Sequence, residues 1–179
     1  EVHRGGVDEI NAAVAAAQKA YLNWGKRSIK ERQRHLANLL EAVRKSHDEL
    51  ALLIASEQGK PIAEARLSDL VPAADTLRYF SRHTEEILSP RPVDYEQILF
   101  AHKAASFHFD PLGVVAIITP WNFPFAIPMV EVAACLAAGN TVVLKPASAT
   151  AVTGLAIGEL CRRAGLPPGV VNVVPCTGE

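Results

Sequence analysis

Three short, largely apolar runs in the second half of the chain constrain its fold most. They cover residues 114–118, 141–144 and 170–174, are rich in β-branched residues with Thr141 and Asn172 as their polar members, and are typical of parallel strands buried on both faces. Between them lie two stretches of helical length, residues 125–138 and 150–164, each followed by a glycine that can end a helix. The order β-α-β-α-β with right-handed crossovers predicts an α/β fold: a three-stranded parallel sheet covered by helices, half of a Rossmann-like dinucleotide-binding domain.

The first part of the chain predicts helices. Asp8 is placed to cap a first helix that ends near Trp24. Ser28 and Glu31 have the spacing of a capping box, which predicts the start of a long helix that ends at residues 58–61, where a glycine precedes a proline. These patterns predict a helical segment ahead of the sheet.

A third helix and a pair of strands follow. The apolar positions of residues 67–88 predict the helix, which Pro72 can kink or split. Alternation over 98–102 and again over 107–109 predicts two antiparallel strands. We therefore divide the chain into a helical segment of residues 1–95, a strand pair at 96–110 and the first part of a nucleotide-binding domain at 111–179.

Composition excludes several classes of protein. The 179 residues include 18 Lys+Arg and 19 Asp+Glu and are 49% hydrophobic, which is typical of a globular chain and argues against disorder or a surface for nucleic acid. No apolar run approaches the ~20 residues of a membrane span, and the first ten residues do not resemble a signal peptide. Three cysteines cannot all pair, which favours a reducing compartment such as the cytoplasm. The six histidines lack the spacing of a metal site.

The ends of the three predicted strands are the candidate binding region, because open parallel sheets bind ligands beyond the carboxyl ends of their strands. Asn122 lies after the first strand, with Pro120 and Pro124 restricting the backbone around it. A fixed, neutral amide is suited to stabilise a developing oxyanion. The alternative is that Asn122 only closes a turn, for which asparagine is also suited.

Residues after the second strand have similar alternatives. Lys145 is placed to bind ribose hydroxyls or a phosphate, or to be a solvated charge that ends a strand. Ser148 is placed to bind a ribose or phosphate oxygen, or to cap the helix that follows, where Thr150 also stands. Trp121 is most simply interpreted as a packing residue. No Gly-x-Gly-x-x-Gly follows the first strand, so the common dinucleotide-binding sequence is absent.

The cysteines do not provide a convincing nucleophile. Cys135 and Cys161 lie on predicted helices, where cysteine commonly acts as a small apolar side chain. Cys176 lies at a strand end with a route to a ligand, but no neighbour predicts a lowered pKa, so we interpret it as structural too.

Several segments together resemble the aldehyde dehydrogenase superfamily, and the resemblance covers nearly the whole chain. Residues 111–124 are similar to its first-strand and oxyanion-loop motif, and residues 138–150 to its second-strand motif. Residues 164–174 are similar to its approach to the third strand, and residues 57–61 to a motif that ends a helix. The resemblance favours the functional interpretations of Asn122, Lys145 and Ser148.

The resemblance implies oxidation of a small-molecule aldehyde to a carboxylic acid with NADP or NAD. In that family a cysteine thiolate attacks the aldehyde, an asparagine matching Asn122 helps to hold the oxyanion, and a glutamate activates the water that releases the acid. Matching positions would bind or border the cofactor: Ile118, Thr119, Pro120, Trp121, Lys145, Pro146, Ala147, Ser148 and Gly178. The strands near 98–109 would belong to an oligomerisation element, so we expect a homo-oligomer.

Departures from the family pattern also carry expectations. The nucleophile and general base of the family lie beyond its last matched motif, so we interpret the chain as an N-terminal fragment that is inactive alone. Cys176 stands where the family usually has glycine, and Ala151 where it often has proline. Ser148 is neutral, whereas a carboxylate there would repel the 2′-phosphate of NADP, so NADP should be accepted. The alternatives are a non-catalytic protein of the same fold and a CoA-acylating relative.

Overall fold

The computed structural model describes residues 4–94, 99 and 102–177, which form helices and two small sheets. The helices are α1 Val7–Trp24, α2 Ile29–Lys45, α3 His47–Gln58, the short α4 Ile62–Glu64, α5 Val71–Ile87, α6 Ala126–Ala138 and α7 Ala151–Arg163. A π-helical segment, Ala65–Leu70, joins α4 to α5. The strands are β1 Arg91–Val93, β2 Ala105–Phe107, β3 Val114–Ile118, β4 Thr141–Lys145 and β5 Val171–Val173.

The parallel sheet has the predicted connectivity. Its strand order is β3-β4-β5, all parallel, with Ile118 opposite Lys145 and Leu144 opposite Val173. The glycines expected to end the crossover helices, Gly139 and Gly165, have φ values of 91° and 75°, which side chains with a Cβ rarely adopt. The predicted β-α-β-α-β half-domain is therefore confirmed.

Burial of the sheet differs from the prediction of strands covered on both faces. The central strand β4 is buried, but β3 and β5 are largely half-buried or exposed. One face packs on α6 and α7, with α2, α3 and α5 behind them. On the other face α1 packs its Ala17 against Val143 and Val174, whereas Ile118 on the same sheet is 73% exposed. The second face is buried only at its centre, because α1 covers only part of it.

Two of the predicted helices differ in detail. The first begins one residue before Asp8, and its N-terminus is capped by Glu9, whose Oε2 accepts a 2.7 Å hydrogen bond from the Gly6 N–H. The Ser28 capping box is confirmed, but the long helix divides at Ser46 into α2 and α3. The Ser46 hydroxyl does not cap α3 but accepts a 3.4 Å bond from Arg163 Nη1.

The third helical stretch begins earlier than predicted, at Ile62, and contains the π-helical segment just before Pro72. Proline lacks an N–H and crowds the carbonyl four residues earlier, which explains an interruption at this point. The wider turn of the π segment contains Asp69, which is fully buried.

The antiparallel pair is confirmed, with a different first strand. Residues 91–93 of β1 pair with 105–107 of β2. Phe107 ends β2, in partial agreement with the alternation over 107–109, whereas Phe109 lies outside a strand and His102 lies in a turn. Ile98 and Phe100 lie outside the described residues. No helix in the described part of the chain is both long and apolar enough to span a membrane.

Candidate active site and cofactor cleft

The three parallel strands end at one edge of the sheet, as predicted for the binding region. The Thr119 N–H donates to the Lys145 carbonyl at 3.3 Å, and the Val174 N–H donates to the Leu144 carbonyl at 2.8 Å. These bonds place the loops after β3, β4 and β5 side by side.

The loops after β4 and β5 form a cleft of about 470 Å³. Ser148 begins a short 3₁₀ turn, Ser148–Thr150, and its Oγ donates to the Cys176 carbonyl at 3.3 Å. The cleft is lined by Arg4, Glu57, Ser148, Ala151, Pro175, Cys176 and Thr177. Exposed hydroxyl and guanidinium groups are therefore available to a polar ligand in this cleft.

Helix capping at this cleft differs from the sequence-based alternative. Neither Ser148 nor Thr150 caps α7 with its side chain. Instead, Glu57 at the end of α3 accepts 2.8 Å bonds from the N–H groups of Val152 and Thr153 and a 2.6 Å bond from the Thr153 hydroxyl. A carboxylate at this helix N-terminus complements the helix dipole. Ser148 is consequently not needed as a cap.

The other predicted cofactor residues differ in exposure. Thr119 and Pro146 are buried, Ala147 is half-buried and Pro120 is exposed. Lys145 is half-buried, and its Nζ donates to the neighbouring Pro146 carbonyl at 3.2 Å. Ile118 is exposed, as noted above, while Gly178 lies outside the described residues.

Trp121 is 61% exposed and does not pack into the core of the described residues, so the interpretation of Trp121 as a packing residue is wrong there. Asn122 next to it is also exposed, and no hydrogen bond to its carboxamide is formed by the described residues. Its backbone, in contrast, is bonded. Gln58 Nε2 donates to the Trp121 and Asn122 carbonyls at 2.7 and 2.9 Å, and Lys60 Nζ donates to the Asn122 carbonyl at 3.0 Å.

A buried ion pair lies beneath the loop that contains Asn122. Lys60 Nζ lies 2.8 Å from Asp69 Oδ2, with side chains 7% and 0% exposed. The other carboxylate oxygen of Asp69 accepts from the N–H groups of Phe125 and Ala126 at 3.1 and 3.2 Å, which caps α6. The sequence identified the helix-ending motif that contains Lys60 but predicted no contact for it, and it gave no indication of Asp69. Both residues have partners that are distant in sequence, so no local pattern predicts these contacts.

The cysteines are all free. Burial raises the pKa of the Cys161 thiol to about 12, and burial together with Glu131 raises the pKa of Cys135. Both helical cysteines therefore remain protonated near neutral pH, in agreement with a structural role. Cys176 is half-buried beside the cleft. Among the described residues, no three His, Cys, Asp or Glu side chains form a group able to hold a metal ion.

Comparison with known proteins gives consistent matches. The model of the aldehyde dehydrogenase family matches residues 1–179. Mitochondrial succinate-semialdehyde dehydrogenase of Rattus norvegicus is 41% identical over 96% of this chain and 32% of its own length. The crystal structure of an NADP-dependent enzyme of E. coli is 40% identical, with a TM-score of 0.91 over 99% of this chain and 36% of its own.

A further solved structure, PnpE in complex with nicotinamide adenine dinucleotide, is 36% identical, with a TM-score of 0.86 over 94% of this chain and 34% of its own. The chain thus spans about a third of the length of the relatives it matches.

Proposed function

The chain belongs to the aldehyde dehydrogenase family, and from that premise we propose that it is the N-terminal part of an enzyme that oxidises an aldehyde to a carboxylic acid with NADP or NAD. The partial coverage of its relatives supports a larger enzyme. In this proposal the cysteine that attacks the aldehyde, and the glutamate that activates water for thioester hydrolysis, belong to the remainder of that enzyme.

One observation carries the proposal: Asn122, Lys145 and Ser148 lie at or just beyond the strand ends on the same edge of the sheet. The chemical role proposed for Asn122 depends on the N–H groups of its side-chain amide. When a thiolate adds to an aldehyde carbon, the carbonyl oxygen becomes an oxyanion, and an N–H donor aimed at that oxygen stabilises it without a proton transfer. The exposed carboxamide of Asn122, on a backbone held by Gln58 and Lys60, fits this role.

We propose that the cleft at Ser148 receives the adenosine ribose of the cofactor. A bound nicotinamide cofactor would supply the acceptor for the hydride that leaves the aldehyde carbon. Lys145 and Ser148 would bind the ribose, with Pro146 and Ala147 shaping that loop, residues 118–121 would border the cofactor, and Gly178 would approach it.

Charges in the cleft favour acceptance of the 2′-phosphate of NADP. Ser148 contributes a neutral hydroxyl, and Arg4 lines the same cleft with a cationic group. Glu57 is the carboxylate nearby, but its oxygens already accept three hydrogen bonds at the start of α7. Because the helix N-terminus offsets that negative charge, it should repel a phosphate less than a free carboxylate would. We propose NADP as an accepted cofactor, with NAD as the alternative.

The β1–β2 pair would belong to an oligomerisation element, and the complete enzyme would be a homo-oligomer. Phe107 and Phe109 are 64% and 46% exposed, which leaves apolar surface for such a contact. For location we propose the cytoplasm, since the free cysteines fit a reducing compartment. Light scattering and imaging of a tagged complete enzyme test these two points.

The experiment that tests the function is an assay of the complete enzyme with a panel of semialdehydes and simple aldehydes, with NADP and NAD in turn. Formation of reduced cofactor together with free acid, without coenzyme A, supports the proposal. A strict requirement for coenzyme A would instead indicate the acylating type. Lack of any reaction, together with a parental sequence that has no cysteine in the family context, would indicate a non-catalytic protein.

A further inference from the structure

The backbone of the Asn122 loop is held by two side chains from one segment that is distant in sequence. Gln58 and Lys60, at the end of α3 and just after it, donate to the carbonyls of Trp121 and Asn122 across 62 to 64 residues of sequence. These two carbonyls lie in an irregular loop, where they have no helical or sheet partners. Gln58 and Lys60 are therefore the hydrogen-bond donors that hold these two carbonyls.

Lys60 has little freedom of its own. Its side chain is 7% exposed, and its ammonium contacts the buried Asp69 carboxylate, the Asn122 carbonyl and the face of the Phe123 ring, 5.0 Å away. Asp69 is anchored in turn by two N–H groups at the start of α6. A lysine with these contacts cannot move without losing a buried charge pair, which is costly.

The hydrogen bonding of Gln58 independently indicates that its side chain is fixed on the loop around Asn122. Its Nε2 donates to both carbonyls, while its Oε1 is buried without a hydrogen-bond partner among the described residues. Leaving a buried acceptor unpaired is unfavourable, so the two carbonyl contacts determine the orientation of this amide.

The π-helical segment provides Asp69, the third residue that supports the Asn122 loop. Single π turns within helices are frequently found at functional sites, because the extra residue changes the direction of a side chain. Here the segment Ala65–Leu70 carries Asp69, whose carboxylate contacts both Lys60 and the start of α6. The loop around Asn122 is thus connected to α3, to α6 and to the π segment.

We propose that Lys60 is a positioning residue for Asn122, with Gln58 and Asp69 as its supports. The inference rests on the proposed function, since it requires Asn122 to be the oxyanion donor. The value of such a donor depends on its placement, and a displacement of about 1 Å can cost about 10²-fold in rate. Lys60 and Gln58 contact no reacting atom in this scheme, and they act on turnover through the Asn122 backbone.

A double-mutant cycle in the complete enzyme tests the proposal. We expect Lys60→Met to lower kcat by about 10-fold or more, with the Kd of the cofactor changed by less than about 2-fold. On an Asn122→Ala background the same substitution should lower kcat by less than about 2-fold, because the group being positioned is gone. Arg66→Met is the matched control, since it removes the exposed 2.9 Å contact to Asp48 from the same π segment and should leave kcat unchanged.

Gln58→Leu is the second variant, because Lys60→Met leaves the buried Asp69 carboxylate without its counter-ion and can prevent folding. It should lower kcat in the wild-type background and have little effect in the Asn122→Ala background. Equal losses of kcat in both backgrounds for Gln58→Leu, or no loss in a folded variant, would overturn the inference. If Asn122→Ala itself retains full turnover, the proposed role of Asn122 fails instead, so the two failures are distinguishable.

Discussion

Ser148 donates a hydrogen bond from its Oγ to the backbone carbonyl of Cys176 at 3.3 Å, which joins the loops after the second and third parallel strands. This contact leaves the serine oxygen exposed beside the cleft. The serine is free to make this contact because Glu57 caps α7 in its place. The first prediction follows from this position.

Ser148→Glu should remove the acceptance of NADP by the complete enzyme. A carboxylate at this position would repel the 2′-phosphate and accept a hydrogen bond from the 2′-hydroxyl of NAD. We expect kcat/KM with NADP to fall by about 10-fold or more relative to that with NAD. Ser148→Gln introduces a side chain of the same size as glutamate but without the charge, and it serves as the control. An unchanged ratio between the cofactors in Ser148→Glu would contradict the prediction.

Asn122→Ala should lower the kcat of the complete enzyme by about 10²-fold, as loss of one preorganised oxyanion donor does elsewhere. Cofactor affinity should change little, because the amide lies on a different loop from the Ser148 cleft. Steady-state kinetics and cofactor titration measure the two quantities separately. A turn residue would behave otherwise, with ordinary turnover and a lower midpoint of thermal unfolding.

Gly154→Ala should destabilise the protein by about 1–3 kcal/mol through overpacking. A Cβ on Gly154 would overlap the Pro146 Cβ, so α7 could no longer approach the loop after β4 as closely. Gly158→Ala on the same helix is the control, because its Cβ would meet one Val173 methyl at 3.1 Å, which can move slightly. Denaturant titration of the complete enzyme compares the two. Equal stabilities of the two variants would contradict the prediction and would mean that Pro146 can shift to make room for the added Cβ.

Cys161 should resist alkylation in the folded protein. Burial raises the pKa of its thiol to about 12, so the reactive thiolate is scarce below that pH and the thiol is also shielded. Raising the pH from neutral toward mildly alkaline values should therefore not expose its reactivity, whereas unfolding in guanidinium should. Peptide-level mass spectrometry after iodoacetamide treatment measures this, with the half-buried Cys176 as the internal reference. Modification of Cys161 as fast as Cys176 in the native state would refute the prediction.

The isolated 179-residue chain should show no aldehyde oxidation, bind NADP weakly and self-associate. Leu112, Ile118 and Trp121 are 92%, 73% and 61% exposed, and β3 and β5 each pair on one side within the described sheet. Apolar surface and open strand edges promote association. Activity assays and light scattering, with the complete enzyme in parallel, test this. A monodisperse and active chain would point to a nucleophile within it, with Cys176 the first to consider.

Local patterns were enough to predict the elements whose determinants lie close together in the chain. The three apolar runs, the glycines at 139 and 165 and the Ser28 capping box each act within a few residues, so strand order and most helix ends followed from them. The resemblance to a known family then gave the functional interpretation of the loops at one sheet edge. That edge itself follows from parallel connectivity, since every strand of such a sheet ends on the same side.

Contacts between distant residues required the folded structure. Glu57 caps a helix 95 and 96 residues away, and Lys60 reaches Asn122 across 62 residues. The pairing of residues 91–93 with 105–107 was not predicted for a similar reason, because the partner of a strand is selected by packing and not by the alternation of nearby residues. A side chain's type indicates which bonds it can form. Only the three-dimensional arrangement brings one particular carbonyl, amide or carboxylate within about 3 Å of it, where hydrogen bonds form.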